Sequence, residues 1–193
     1  MNATEGLRIE PGRLSEPASG DGPKTVGEAA ELTARYRPDV VRVLFVGESS
    51  PAGETHFYRG NSQLFRATRD GFERGLGARL EAPFLEWFRD LGCWLVDLSD
   101  CPFDEIPAAQ QPAAVDAAIA RLAATLQELR PERIVVVLRR IAPAVQEAAD
   151  EAGLLELPIH LLPYPTRQWR PVYVEELGGI VAEVLAGEPE MSA

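Results

Sequence analysis

Four stretches of this 193-residue chain carry side chains that could do chemistry together. The first is Gly47-Glu48-Ser49-Ser50-Pro51-Ala52-Gly53, followed by His56, Phe57, Tyr58, Arg59, Gly60 and Asn61. The second is the end of Trp94-Leu95-Val96-Asp97-Leu98-Ser99. The third is Leu138-Arg139-Arg140, and the fourth is Pro163-Tyr164-Pro165-Thr166-Arg167. An apolar run that ends in glycine, a carboxylate, hydroxyls and aromatic rings is built to meet a ligand. Seven of the nineteen basic residues, Arg59, Arg66, Arg69, Arg139, Arg140, Arg167 and Arg170, lie in or just after these stretches. A basic rim of that kind suits a phosphate-bearing ligand. The competing reading is a set of arginines spread over a solvated surface.

The elements behind these stretches explain why they should converge. Apolar runs at Val41–Val46, Trp94–Leu98, Arg133–Leu138 and Pro158–Leu162 read as strands. Each is apolar on both faces, as in a parallel sheet covered on both sides. Helical periodicity fills the intervals at Ser62–Leu76, Pro83–Leu91, Pro112–Leu129, Pro143–Ala152 and Pro171–Leu185. A capping box, Thr25-Val26-Gly27-Glu28, predicts a further helix running to about Arg37. The fold class is α/β: a three-layer α/β/α sandwich around a parallel sheet of about four strands. Such sheets bind ligands at the carboxyl ends of their strands, where the four stretches lie. Residues 1–24, rich in Gly, Pro, Ser and Glu, read as a disordered arm, 25–187 as one domain and 188–193 as a tail.

Bulk properties narrow the function. The chain is 46% hydrophobic and 25% charged, ordinary for a globular protein. No apolar run reaches the roughly 20 residues that span a bilayer, and the first residues hold no apolar segment of the signal-peptide kind. A cytoplasmic monomer without membrane contact is expected. The net charge of -11 opposes non-specific binding to nucleic acid. Cys93 and Cys101 are not spaced as metal ligands, so two reduced thiols and no metal or other cofactor are expected.

Val43 to Gly53, VLFVGESSPAG, resembles the first motif of the uracil-DNA glycosylase superfamily, V-x-F-V-G-E-A-P-G in its iron–sulfur members. Tyr58-Arg59-Gly60-Asn61-Ser62-Gln63-Leu64-Phe65 is similar to the glycine–asparagine segment of the mismatch-specific members. The run from Trp94 through Asp97 and Cys101 to Pro102 resembles the strand ending in the family's base-reading Asn. Val137 to Ala142 is similar to a later strand end, and Tyr164-Pro165-Thr166 stands where the family has His-Pro-Ser. The matches follow the family's order across roughly residues 40 to 185.

The resemblance implies a pocket for a flipped base, cleavage of an N-glycosidic bond, and DNA or another nucleobase-containing ligand as partner. It makes Glu48 the group that activates water or stabilises the cation-like sugar. It makes Tyr58 the ring that stacks on the base, and Asp97 and Tyr164 the groups that read it. Ser49, Ser50, Asn61, Thr166, Arg139, Arg140 and Arg167 would contact phosphate or backbone. The departures have consequences. An ionised Asp97 accepts but cannot donate, so it opposes uracil O4 and suits an edge with two donors, such as that of guanine. Tyr164 is a poor acid in place of His. Ser49-Ser50-Pro51 adds a residue to the turn, and only Cys101 matches a cluster cysteine.

Three functions compete: a glycosylase using Glu48, a non-catalytic nucleobase or nucleic-acid binding module on the same fold, and a serine hydrolase. The last rests on Ser49, Asp97 and His160 in α/β-hydrolase order, although Pro51 stands where the nucleophile elbow needs Gly. Each residue also has a structural reading. Asp97 could cap a helix or pair with an arginine, Glu48 could bond loop amides, and Trp169 could pack under the last helix instead of wedging DNA.

Overall fold

A computed structural model of the chain describes residues 26–49, 55–80 and 83–186. The expected arm over 1–24, Thr25 of the capping box, Ser50 and the tail 188–193 lie outside the described residues.

Four strands, β1 (Val43–Gly47), β2 (Cys93–Asp97), β3 (Arg133–Val136) and β4 (Ile159–Leu161), form one sheet in the order β2-β1-β3-β4. Every pairing is parallel, with Gly47 opposite Asp97 and Val46 opposite Val136. Helices α1 (Val26–Arg35), α2 (Gln63–Leu76), α3 (Phe84–Asp90), α4 (Gln111–Leu129), α5 (Ala142–Glu151) and α6 (Arg170–Ala186) connect and cover it. The period-2 geometry of β1 divides its side chains between two cores. Val43 and Phe45 pack with α2, α3 and α6 through Phe72, Phe88 and Leu177. Leu44 and Val46 pack with α4 and α5 through Leu122, Leu126 and Val145. Strands buried on both faces are continuous apolar runs for this reason, and the three-layer sandwich expected from the sequence is the architecture observed.

The helix boundaries follow local chemistry. Ser62 caps α2, its hydroxyl accepting from the Phe65 N–H at 3.0 Å, and Gly77 ends it with a left-handed φ of 67°. Chain crossovers leave β1 toward β2 on one side and return to β3 on the other. The topological switch point therefore lies between β1 and β3, and there the carboxyl-end loops part to leave a crevice. No described helix is long and apolar enough to cross a membrane.

Candidate functional site

Backbone pairing sets the site's two carboxylates side by side. Beyond the last paired residues of β1 and β2, the Leu98 N–H donates to the Gly47 carbonyl at 2.9 Å. The Ser99 N–H donates to that of Glu48 at 2.7 Å. The β1 and β2 loops thus stay joined past the sheet. Asp97 projects across Gly47 so closely that a β-carbon on Gly47 would lie 2.6 Å from Asp97 Oδ1. Gly47 is needed here for room, since only a hydrogen fits beneath the carboxylate.

These residues open into a cavity of about 400 Å³ at the switch point. That size is typical of small-molecule sites. Glu48, Ser49, Asp97, Arg140, Tyr164 and Thr166 line it, together with His56, Phe57 and the apolar side chains of Leu64, Leu95, Val137 and Leu138. The walls are mostly hydrocarbon, with polar groups concentrated on the strand ends. Of the four residues expected to surround a base, Glu48, Asp97 and Tyr164 come together here. Of the expected backbone contacts, Ser49, Thr166 and Arg140 do so.

Tyr58 does not. Its ring is 2% exposed, stacked on Tyr36 with centroids 5.3 Å apart. Its hydroxyl donates to the Leu95 carbonyl at 3.0 Å and accepts from the Leu95 N–H at 2.7 Å. β2 is an edge strand, and in a parallel strand one residue's N–H and C=O point to the same side. The Tyr58 hydroxyl satisfies both outward groups of Leu95. Burial, first of all, holds its pKa well above the ordinary phenol value. The expectation that Tyr58 stacks on a ligand is corrected: its neighbour Phe57 faces the cavity. Both lie in the 3₁₀ turn Phe57–Arg59, where successive side chains point about 120° apart.

The same turn accounts for Asn61. Its Oδ1 accepts from the His56 N–H at 2.9 Å, and Gly60 closes the turn with φ 73°. Asn61 is exposed, off the cavity wall, and clamps the loop; it is not placed to contact a phosphate. His56 Nδ1 accepts from the Tyr58 N–H at 3.3 Å. This histidine, 3% exposed and on the cavity wall, is a functional candidate to which the sequence reading gave no role of its own. Its position just before a Phe-Tyr-Arg turn was the available signal.

Glu48 is held by Arg140, whose Nη2 donates to Oε2, and the Glu48 side chain is only 9% exposed. Among the described residues, Oε1 has no hydrogen-bond partner. Arg140 also lies 3.8 Å from Asp104. Beyond this ion pair a second hollow of about 460 Å³, floored by Phe103, Ile119 and Pro143, shares Glu48 and Arg140 as a wall. Tyr164 is half-buried, and burial followed by the negative charge of Asp97 raises its phenol above the ordinary value. Its hydroxyl therefore stays protonated as a donor.

The basic rim is corrected in the same way. Five of its seven arginines face carboxylates: Arg59 meets Glu28, Arg69 and Arg170 meet Asp70, Arg139 meets Glu176 at 3.0 Å, and Arg140 meets Glu48. Arg139 turns away to α6, and Arg167 is exposed without lining the cavity, so neither is placed to bind phosphate there. His160 sits on β4, off the cavity, with a buried Nε2 lacking a partner among the described residues. Ser49, Asp97 and His160 therefore do not assemble a hydrolytic triad. Trp169 is 44% exposed and does not pack beneath α6.

A larger open hollow of about 630 Å³ lies at the amino end of the sheet. Three of its four arginines, Arg37, Arg42 and Arg89, are taken up by Glu128, Glu132 and Asp90 at 2.5 to 3.0 Å, Arg35 lies over the Tyr36 ring, and no strand delivers a carboxyl-end loop to it. Among the described residues no three His, Cys, Asp or Glu side chains gather as metal ligands. No model of a known protein family matches the chain, and no curated protein matches it. Fold and site define a class: a doubly wound parallel α/β protein with an acidic, aromatic-walled cavity at the switch point.

Proposed function

We propose that this chain binds a nucleobase-containing ligand in the switch-point cavity and hydrolyses its N-glycosidic bond, with Glu48 as the catalytic carboxylate. The observation that carries this reading is the shared wall: Glu48, Asp97 and the Phe57 ring line one cavity of about 400 Å³. A flat heterocycle stacked on Phe57 gains about 1–3 kcal/mol. Asp97 accepts from N–H donors on its edge, and the Tyr164 hydroxyl donates to a ring acceptor. Glu48, held by Arg140 through Oε2, presents Oε1 where positive charge develops as the C1′–N bond lengthens. The resemblance to the uracil-DNA glycosylase superfamily supports this reading through the positions of Glu48, Asp97 and Tyr164.

The Arg140 contact also favours a second reading, a nucleobase-binding module without bond cleavage, because a carboxylate committed to a guanidinium stabilises a neighbouring cation less. One experiment separates them. Oligonucleotides carrying uracil, hypoxanthine, xanthine or an oxidised base are assayed for abasic sites, while calorimetry follows binding of free bases and nucleosides. Glu48→Gln is expected to retain binding and lose base release by a factor of about 100 or more. Release at the wild-type rate in that variant removes Glu48 from the chemistry, and binding without release in the native chain establishes the module.

A further inference from the structure

We infer that the base accepted by this cavity is a permanently cationic, N-linked heterocycle, such as an N-alkylpurinium or a pyridinium, and not a neutral one. The inference rests on the nucleobase reading above and specifies its substrate class. Among the described residues, the charged groups of the wall are two carboxylates, Glu48 and Asp97, and the guanidinium of Arg140. The Arg140 guanidinium is shared between Glu48 and Asp104, and its side chain is 53% exposed against 9% for Glu48. The interior is therefore net negative.

Leaving-group chemistry points the same way. A neutral base departs as an anion and needs an acid or a strong electrophile at its oxygen. Tyr164 is the hydroxyl nearest that role, and its phenol, with a raised pKa, is a weak acid. His56 Nδ1 accepts from the Tyr58 N–H, so that nitrogen offers no proton to a departing base. A cationic base needs neither. When its C1′–N bond breaks, the electron pair returns to the ring nitrogen and the base leaves neutral. Water adds to C1′, and its proton passes to the Glu48 carboxylate and on to solvent. Asp97, an obstacle to a uracil edge, becomes an attraction.

The test compares ligands that share shape and differ in charge. N7-methylguanosine is set against 7-deaza-7-methylguanosine, and nicotinamide riboside against benzamide riboside. Assays run at a pH that keeps the methylguanine N1–H protonated. Binding is read by calorimetry and base release by chromatography, and a duplex oligonucleotide carrying N7-methylguanine tests the polymeric source of the same chemistry. We expect each cationic member to bind about tenfold or more tighter than its neutral isostere, with release of the cationic bases only. Asp97→Asn is expected to reduce that preference to near parity. Equal binding of charged and neutral partners, or an undiminished preference in Asp97→Asn, overturns the inference while leaving the nucleobase reading standing. Failure of every base, nucleoside and oligonucleotide to bind overturns both. Release from the oligonucleotide but not the nucleosides assigns the cation to damaged nucleic acid, and the converse assigns it to a free nucleoside.

Discussion

The hydroxyl of Tyr58 occupies the place a further strand would take beside β2. It fills both hydrogen-bonding positions that Leu95 turns outward, at 3.0 and 2.7 Å. Removing it leaves a buried donor and a buried acceptor unpaired. Tyr58→Phe is accordingly expected to lose about 2–4 kcal/mol of stability in urea titration, since each orphaned group costs about 1–3 kcal/mol. A ligand-stacking ring would lose affinity in that variant with stability unchanged, and such a result would reverse the assignment. Gly47 gives the complementary case. A methyl there collides with Asp97 Oδ1 at 2.6 Å, the mobile end of a side chain and not backbone. Gly47→Ala is expected to shift stability by less than about 1 kcal/mol. It displaces the Asp97 carboxylate from the cavity, so nucleoside affinity should fall as far as in Asp97→Ala.

At the scale of elements, the site depends on how tightly α2 and α6 press together. Gly71 and Gly75 of α2 meet Leu177, Gly178 and Val181 of α6 at distances that exclude a side chain. The buried Thr68–Tyr173 hydrogen bond, 2.9 Å, adds one polar link. This packing fixes the start of α6, and with it the Tyr164–Thr166 loop, which is further held by the Gln63 side chain donating to the Pro165 carbonyl. A β-carbon on Gly75 would lie 2.6 Å from the Gly178 carbonyl oxygen. Gly75→Ala should therefore destabilise by about 1–3 kcal/mol, as overpacking does. Gly179, one residue on, has open space around it. Gly179→Ala is expected to raise stability by about 0.5–1 kcal/mol through helix propensity. Thermal melts of the two variants should move in opposite directions; a shared direction would mean that α2 and α6 do not pack as described.

For the whole molecule, charge placement decides what kind of partner fits. The chain carries a net charge of -11, and the arginines near the cavity mouth are largely engaged by carboxylates. A surface that tracks six or more phosphates loses about a thousandfold or more in affinity between 50 and 200 mM salt. Here, ligand binding over that range is expected to change less than about fivefold, because few counterions are released. A steep salt dependence in isotherms with a short oligonucleotide would require a phosphate track that the described arginines do not form.

How far the chain could be read depended on the range of the interactions involved. Among the described residues, the parallel sheet with its four strands and five of the six helices follow from apolar runs and 3.6-residue stripes, which are local properties of sequence. The convergence of Glu48, Asp97 and Tyr164 follows too, because parallel strands must present their carboxyl ends on one edge. Which ring of the Phe57-Tyr58 pair meets the cavity could not follow: it depends on a 3₁₀ turn and on Leu95, 37 positions away. Nor could the neutralised rim, since the Arg140–Glu48 pair joins residues 92 apart. Residue order and apolar rhythm by themselves determined the layers and the edge where ligands are met. Only the tertiary packing decided which side chains reach that edge, because burial and charge pairing are made between segments that the linear chain keeps apart.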